Sequence, residues 1–268
     1  MIVHNLNPVL IDLGFFQIKW YSIAYILGIV LGWFYASIII KNNNNIITIN
    51  RTDLEDLIIY LIFGIIFGGR LGYVFFYDPD YYIQNLSEIF KIWNGGMSFH
   101  GGLLGVAIST FIFAKINKKK FFELTDIISC VAPIGLFLGR IANFINGELF
   151  GKVSTLPWSV IFPAGGNLAR HPSQIYEAIL EGILLFVLIN VFAIKRKMLK
   201  RAGFISGLFL ILYSIFRIIS ENFREPDIHL GYIYKNISMG IILSIITLIF
   251  GLLIILFIKK NGKNNQNP

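Results

Sequence analysis

Three arginines stand where lipid-facing apolar side chains would be expected. Arg70, Arg140 and Arg217 each interrupt a long hydrophobic run, and a guanidinium at the centre of a membrane helix costs about 2.5 to 3.5 kcal/mol. Each lies near the end of its run, so snorkelling to the interface could relieve that cost. Their shared depth, beside other polar residues at the same level, points instead to a common polar site. A guanidinium held by a carboxylate but open elsewhere is a phosphate receptor, because its planar donors match oxygens in pairs. Such a carboxylate is close at hand. Tyr213, Arg217, Glu221 and Arg224 fall within about 80° of helix surface at 100° per residue, so Glu221 should pair with Arg217 or Arg224. An ion pair that only fixes helix packing is the alternative.

A second polar group lies in GRIANFINGELFG, Gly139 to Gly151. Arg140 and Asn143 stand about 60° apart on a helix, and Asn146, Gly147 and Glu148 follow where the helix should leave the membrane. Amides and exposed backbone beside an arginine suit a lipid head group with hydroxyls and a phosphate. His100, flanked by glycines in NGGMSFHGGLLG, is the side chain most easily tuned to accept a proton near neutral pH. Glu177 and Glu181 form an i, i+4 pair whose state, protonated or arginine-paired, the sequence leaves open. Tyr21 and Tyr25 fit an interfacial aromatic belt with a possible head-group contact. His4, His171 and His229 fall in connections and look ordinary. Cys130, the single cysteine, fits an inert buried thiol.

These groups need elements to hold them. A spanning helix requires about 20 apolar residues to cross roughly 30 Å of hydrocarbon, and seven stretches qualify: about 20–40, 57–76, 97–114, 124–144, 175–194, 204–219 and 237–258. The fold expected is an all-α integral membrane protein, a seven-transmembrane-helix bundle forming one domain over residues 1–268. Lys and Arg are divided unevenly among the connections, 14 on one set and 6 on the alternate set. The positive-inside rule then places the N-terminus outside and the C-terminus in the cytoplasm. External loops 77–96 and 145–174 should build a small cap. The stretch 42–45 and the tail from Asn261 read as solvated linker. No basic region precedes the first apolar run and Asp12 lies ahead of it, so a cleavable signal peptide is not expected.

Composition narrows the function. With 56% apolar and 14% charged residues, the chain is unsuited to a soluble domain. It also lacks the basic patch of a nucleic-acid binder, so no nucleic-acid partner is expected. One cysteine excludes an internal disulfide framework and a thiolate metal cluster. No HExxH, GxSxG or P-loop appears, which leaves metalloprotease, serine-hydrolase and nucleotide-driven chemistry without support. A transporter would usually show two related halves, and none are evident. A lipid-binding scaffold would need neither the histidine nor paired arginines.

The segment Gly139 to Gly151 resembles, at every fixed position, the signature G-R-x-[GA]-N-F-x-N-x-E-x-x-G of the bacterial prolipoprotein diacylglyceryl transferases. The resemblance continues in order through GGRLGYVFFYDP (68–79), GGMSFHGGLLG (95–105), RHPSQIYEA (170–178) and FRIISENFREPD (216–227). It implies a seven-helix enzyme of the bacterial plasma membrane, with its site toward the outer half of the bilayer. Such an enzyme moves the diacylglyceryl group of phosphatidylglycerol onto the lipobox cysteine of a prolipoprotein signal peptide and releases glycerol phosphate, with no metal or other cofactor. By motif match the lipid-binding arginine is Arg140, with Asn143, Asn146, Glu148 and Gly151 beside it. The implicated histidine is His100 and the second essential arginine Arg217. Tyr21, Tyr213, Glu221, Arg224 and Arg70 complete the expected substrate contacts.

Overall fold

The computed structural model describes residues 2–14, 17–226, 231–234 and 237–264, which leaves His229 and the end of the last motif, Asp227, outside the described residues. Helices dominate. They are α1 (Trp20–Asn42), α2 (Arg51–Phe76), the short α3 (Pro79–Gln84), α4 (Phe99–Ile116), α5 (Phe121–Ile145), α6 (Ser173–Lys195), α7 (Phe204–Glu221) and α8 (Met239–Asn264). Six of these are long and apolar enough to cross a membrane, and α4 adds a shorter apolar helix. The outward faces carry large apolar side chains such as Phe34, Phe67, Leu252 and Phe257, an arrangement stable only where the solvent is hydrocarbon. The protein is a membrane helical bundle.

Local chemistry moves some boundaries away from those expected. The second helix starts at Arg51 rather than near residue 57, because Asn50 and Asp53 form a reciprocal cap. The Asp53 N–H donates to Asn50 Oδ1 at 2.8 Å and the Asn50 N–H donates to Asp53 Oδ2 at 2.9 Å, satisfying two otherwise orphaned donors. Helix α8 continues to Asn264, so the beginning of the expected linker from Asn261 is helical. The fifth span is not uniformly α-helical: residues Ala178–Leu184 and Val191–Lys195 wind as π-helix, a departure often found where a helix carries function.

The backbone contacts fall into two compact units, residues 1–36 with 128–268, and residues 37–127. In the smaller unit α2 and α4 pack with their backbones nearly touching. A methyl group added at Gly68 would meet the Cα of Gly105 at 2.7 Å, so glycine is required for this approach. The pair is antiparallel, since Gly64 meets Gly105 and Ser109 whereas Gly72 meets Gly101. In the larger unit α7 packs along α8, and Gly28 of α1 lies against Gly135 of α5.

Short strands complete the larger unit. β1 (Ile2–Val3) pairs in parallel with β2 (Val160–Ile161), which pairs antiparallel with β3 (Ala169–Arg170). The N-terminal residues therefore join the 145–174 connection. His4, expected to be ordinary, helps to fix it there through a 2.7 Å hydrogen bond with the Phe144 carbonyl.

Candidate active site

Helix α5 carries Arg140, α6 carries Glu177 and Glu181, and α7 carries Arg217 and Glu221; Arg224 follows just beyond. The three guanidiniums and three carboxylates form one buried, charge-balanced cluster. Arg140 Nη2 lies 2.8 Å from Glu177 Oε2 and 3.3 Å from Glu181 Oε2. Arg217 Nη1 lies 2.7 Å from Glu177 Oε2 and 3.5 Å from Glu181 Oε1, and its Nη2 lies 2.9 Å from Glu221 Oε2. Arg224 Nη1 reaches Glu177 Oε1 at 3.4 Å. Isolated charges at these positions would be prohibitive in an apolar bundle, and mutual pairing with hydrogen bonds makes them tolerable.

The cluster resolves the alternatives left open above. Glu177 and Glu181 are arginine-paired. Glu221 pairs with Arg217, and Ser238 donates to its Oε1 at 2.8 Å. Glu221 Oε2, close to Arg217 but poorly aligned with it, has no hydrogen-bond donor. Arg224 does not extend the helical face inferred from its spacing, because α7 ends at Glu221. It reaches the cluster from extended backbone bridged to Gly151.

That bridge explains Gly151. Its N–H donates to the His171 carbonyl at 2.8 Å, and the next N–H, of Lys152, donates to the Phe223 carbonyl at 2.9 Å. A Cβ at Gly151 would approach both Phe223 O and the His171 side chain within 2.6 Å. No larger residue fits between these strands, and through them Gly151 fixes the backbone that presents Arg224. Upstream, Asn143 Nδ2 donates to Glu148 Oε1 at 2.8 Å and Asn146 Nδ2 to the same atom at 3.4 Å. Gln174 Nε2 donates to the Glu148 carbonyl at 2.6 Å. The turn leaves α5 through Gly147 and Leu149, both at positive φ.

The donors are distributed unevenly. Arg217 has both terminal nitrogens on carboxylates. Arg140 has only Nη2 engaged, so three of its five N–H groups, on Nε and Nη1, have no partner among the described residues. A cavity of about 210 Å³ reaches Glu221 and Arg224 from the side of Lys152, Asn222 and Ser238. Next to the cluster, a largely apolar groove of about 370 Å³ is bounded by Trp158, Tyr176, Leu180 and Phe223. At its rim, burial with Lys152 nearby lowers the His171 imidazole below the usual histidine range.

The remaining expected residues divide between the two units, with Tyr213 in electrostatic reach of Arg140, Glu177, Glu181 and Arg217. Tyr213 is buried one turn before Arg217 and stacks on Phe209. Tyr21 and Tyr25 contact each other at the start of α1, with ring centroids 5.1 Å apart. His100 and Arg70 belong to the smaller unit. His100 is half-buried at the second position of α4, beside the N-cap at which Ser98 Oγ accepts from the Gly101 N–H. Arg70 differs from the expected head-group donor: its N–H groups go to the backbone carbonyls of Glu88, Ile89, Lys91, Gly95 and Gly96, and its guanidinium lies over the Tyr82 ring. All five donors are engaged, so it clamps the connection after α3. Ser220 and Ser238, not singled out in the sequence, donate to Glu181 and Glu221; the signal for them is weak, since small hydroxyls abound in membrane helices.

Comparison with known proteins agrees with the motif. The family model described as prolipoprotein diacylglyceryl transferase matches residues 8–257. The chain is 50% identical over 252 residues to the phosphatidylglycerol--prolipoprotein diacylglyceryl transferase of Rickettsia bellii (strain OSU 85-389), covering 94% of this chain and 95% of that protein. It is 51% identical over 247 residues to the protein of the same name from Rickettsia akari (strain Hartford), covering 92% and 95%. With that from Rickettsia canadensis (strain McKiel) it shares 51% over 251 residues, covering 94% and 96%.

Proposed function

The chain belongs to the prolipoprotein diacylglyceryl transferase family, and on that premise we propose how its buried charges serve the reaction. The enzyme transfers the diacylglyceryl group of phosphatidylglycerol to the lipobox cysteine of a prolipoprotein. The cysteine thiolate attacks the glycerol carbon that bears the phosphate, a C–S bond forms, and the C–O bond to phosphate breaks. Glycerol phosphate leaves as a monoester, and the thiol proton is taken up by a base. Charge on phosphate therefore grows along the reaction, and preorganised donors are worth most where charge develops.

One observation carries the assignment of roles. Arg140 is fixed through Nη2 yet keeps its other N–H groups, so it can hold a phosphate without releasing its carboxylates. Arg217, more fully paired, adds fixed positive charge. Asn143, Asn146 and Glu148 suit the hydroxyls of the head group. Tyr21, Tyr213, Gly151 and Arg224 line or brace the same region. His100 is assigned as the base, since only the thiolate attacks and free cysteine has a pKa of about 8.5.

The seven apolar helices act as one transmembrane domain in the bacterial plasma membrane, with the N-terminus outside and the C-terminus in the cytoplasm. The distribution of Lys and Arg, 14 against 6 in alternate connections, supports that orientation. The segments 77–96 and 145–174 then form the external cap. Purified protein with phosphatidylglycerol and a lipobox peptide should raise the peptide mass by one diacylglyceryl group. An unmodified peptide, or reporters at Lys118 and Lys197 that read periplasmic, would contradict the proposal.

A further inference from the structure

With Arg140 and Arg217 assigned to phosphate, two ionisable groups of the cluster remain without a task. Glu177 and Glu181 are both 0% exposed, on the turn where α6 passes from α to π winding at Ala178. A carboxylate buried in an apolar helix needs a physical reason. Here both carboxylates bridge the same two cations. Glu177 does so through the single oxygen Oε2, 2.8 Å from Arg140 and 2.7 Å from Arg217. Glu181 spreads the bridge over both oxygens, with Oε2 toward Arg140 and Oε1 toward Arg217. Ser220 donates to Glu181 Oε1 at 3.3 Å.

Two guanidiniums brought this close in a low-dielectric interior repel each other. The paired bridge offsets the repulsion and sets their spacing. It also decides which donors remain for a ligand, because each carboxylate holds Arg140 by Nη2 alone. We infer that Glu177 and Glu181 are positioning residues of the transfer reaction: they lock Arg140 and Arg217 into one rigid pair and present Nε and Nη1 of Arg140 to the phosphate. This rests on the phosphate roles proposed for the two arginines.

The test uses full-length enzyme in detergent, carrying Glu177→Gln, Glu181→Gln or Arg140→Lys, or combining the first with the last. Turnover is read with phosphatidylglycerol and a lipobox peptide, and phosphate binding by inhibition with free glycerol phosphate. Misplacing a donor by about 1 Å costs on the order of 10²-fold in rate, so kcat should fall by about that factor in each Gln variant while KM for the lipid moves far less. Removing one of three carboxylates leaves the cluster with excess positive charge, so half-inhibition should come at about tenfold lower glycerol phosphate.

A role confined to holding helices together would weaken inhibition and turnover in parallel, and that result, or an unchanged kcat, would overturn the inference. Because Glu177 acts through Arg140, Glu177→Gln should cost much less in the Arg140→Lys background than alone; full additivity would also overturn it. Should Glu177→Gln fail to yield folded protein by thermal melting, Glu181→Gln decides, since it bridges the same cations without contacting Arg224. Wild-type turnover and inhibition in Arg140→Lys would instead remove the phosphate reading itself, whatever the glutamates do.

Discussion

Arg70 and Arg140 are both guanidiniums near the ends of apolar helices, the first buried and the second half-buried, yet their partners are of different kinds. Arg70 is met by five backbone carbonyls from the connection that follows its own helix. Arg140 is met by carboxylates on another helix and keeps donors in reserve. Carbonyls fully satisfy a guanidinium without neutralising it, which suits a clamp. Carboxylates neutralise it while engaging few of its donors, which suits a receptor. Burial of an arginine in a membrane helix is thus a weak indicator of a site until its partners are known.

The largest effect should come from replacing Arg140 or Arg217 with lysine. An ammonium has its three donors on one atom and cannot serve carboxylates on one side and phosphate on another. Loss of preorganised charge stabilisation typically costs about 10² to 10³ in rate, so turnover at matched protein levels should fall by that order. Near-normal rates in both variants would erase the contrast with Arg70.

His100 asks whether the smaller unit contributes chemistry as well as scaffold. His100→Gln should slow transfer by about 10²-fold, with the defect easing above about pH 8.5, where the acceptor thiol ionises unaided. A wild-type rate and pH profile would confine the chemistry to the larger unit.

Arg70→Leu should act on stability instead. Leaving carbonyls without donors is expected to cost about 1 to 3 kcal/mol for each one that water cannot reach, visible as a lowered melting temperature, while the molecules that remain folded keep most of their turnover. A selective loss of turnover with unchanged melting would move Arg70 into the site. The smallest effect belongs to Cys130, which is fully buried and whose carbonyl, not its thiol, accepts from Asn190 Nδ2. Cys130→Ser should leave turnover intact, and diacylglyceryl found on Cys130 by mass spectrometry would demand a two-step transfer.

What the sequence made legible follows from physics local to the chain. Lipid sets a minimum length for apolar runs, so the helices are visible as runs, and the i, i+4 relation of Arg217 and Glu221 survives into the structure. Extrapolation fails at Arg224, because angles per residue hold only while the helix continues, and α7 stops at Glu221. The partners of Glu177 and Glu181 depend on which helices pack together, which spacing within one helix does not encode. The partners of Arg70 leave no trace at all, since any residue can offer a carbonyl. The union of β1 with β2 rests on two-residue strands, too short to show a period.

The antiparallel packing of α2 on α4 has a consequence for biosynthesis. Every carbonyl that receives Arg70 lies 18 to 26 residues after it, and the glycine seam that holds the two helices together is finished by Ser109. As translation proceeds, this hairpin has all its partners before Arg140 has been synthesised, so the membrane receives it as a charge already sheltered. Arg140 must wait about 40 residues for Glu177 and Glu181, and Arg217, Glu221 and finally Arg224 complete the set later still. The scaffold arginine can settle while the chain is still on the ribosome, whereas the charged cluster is assembled only after most of the chain has emerged.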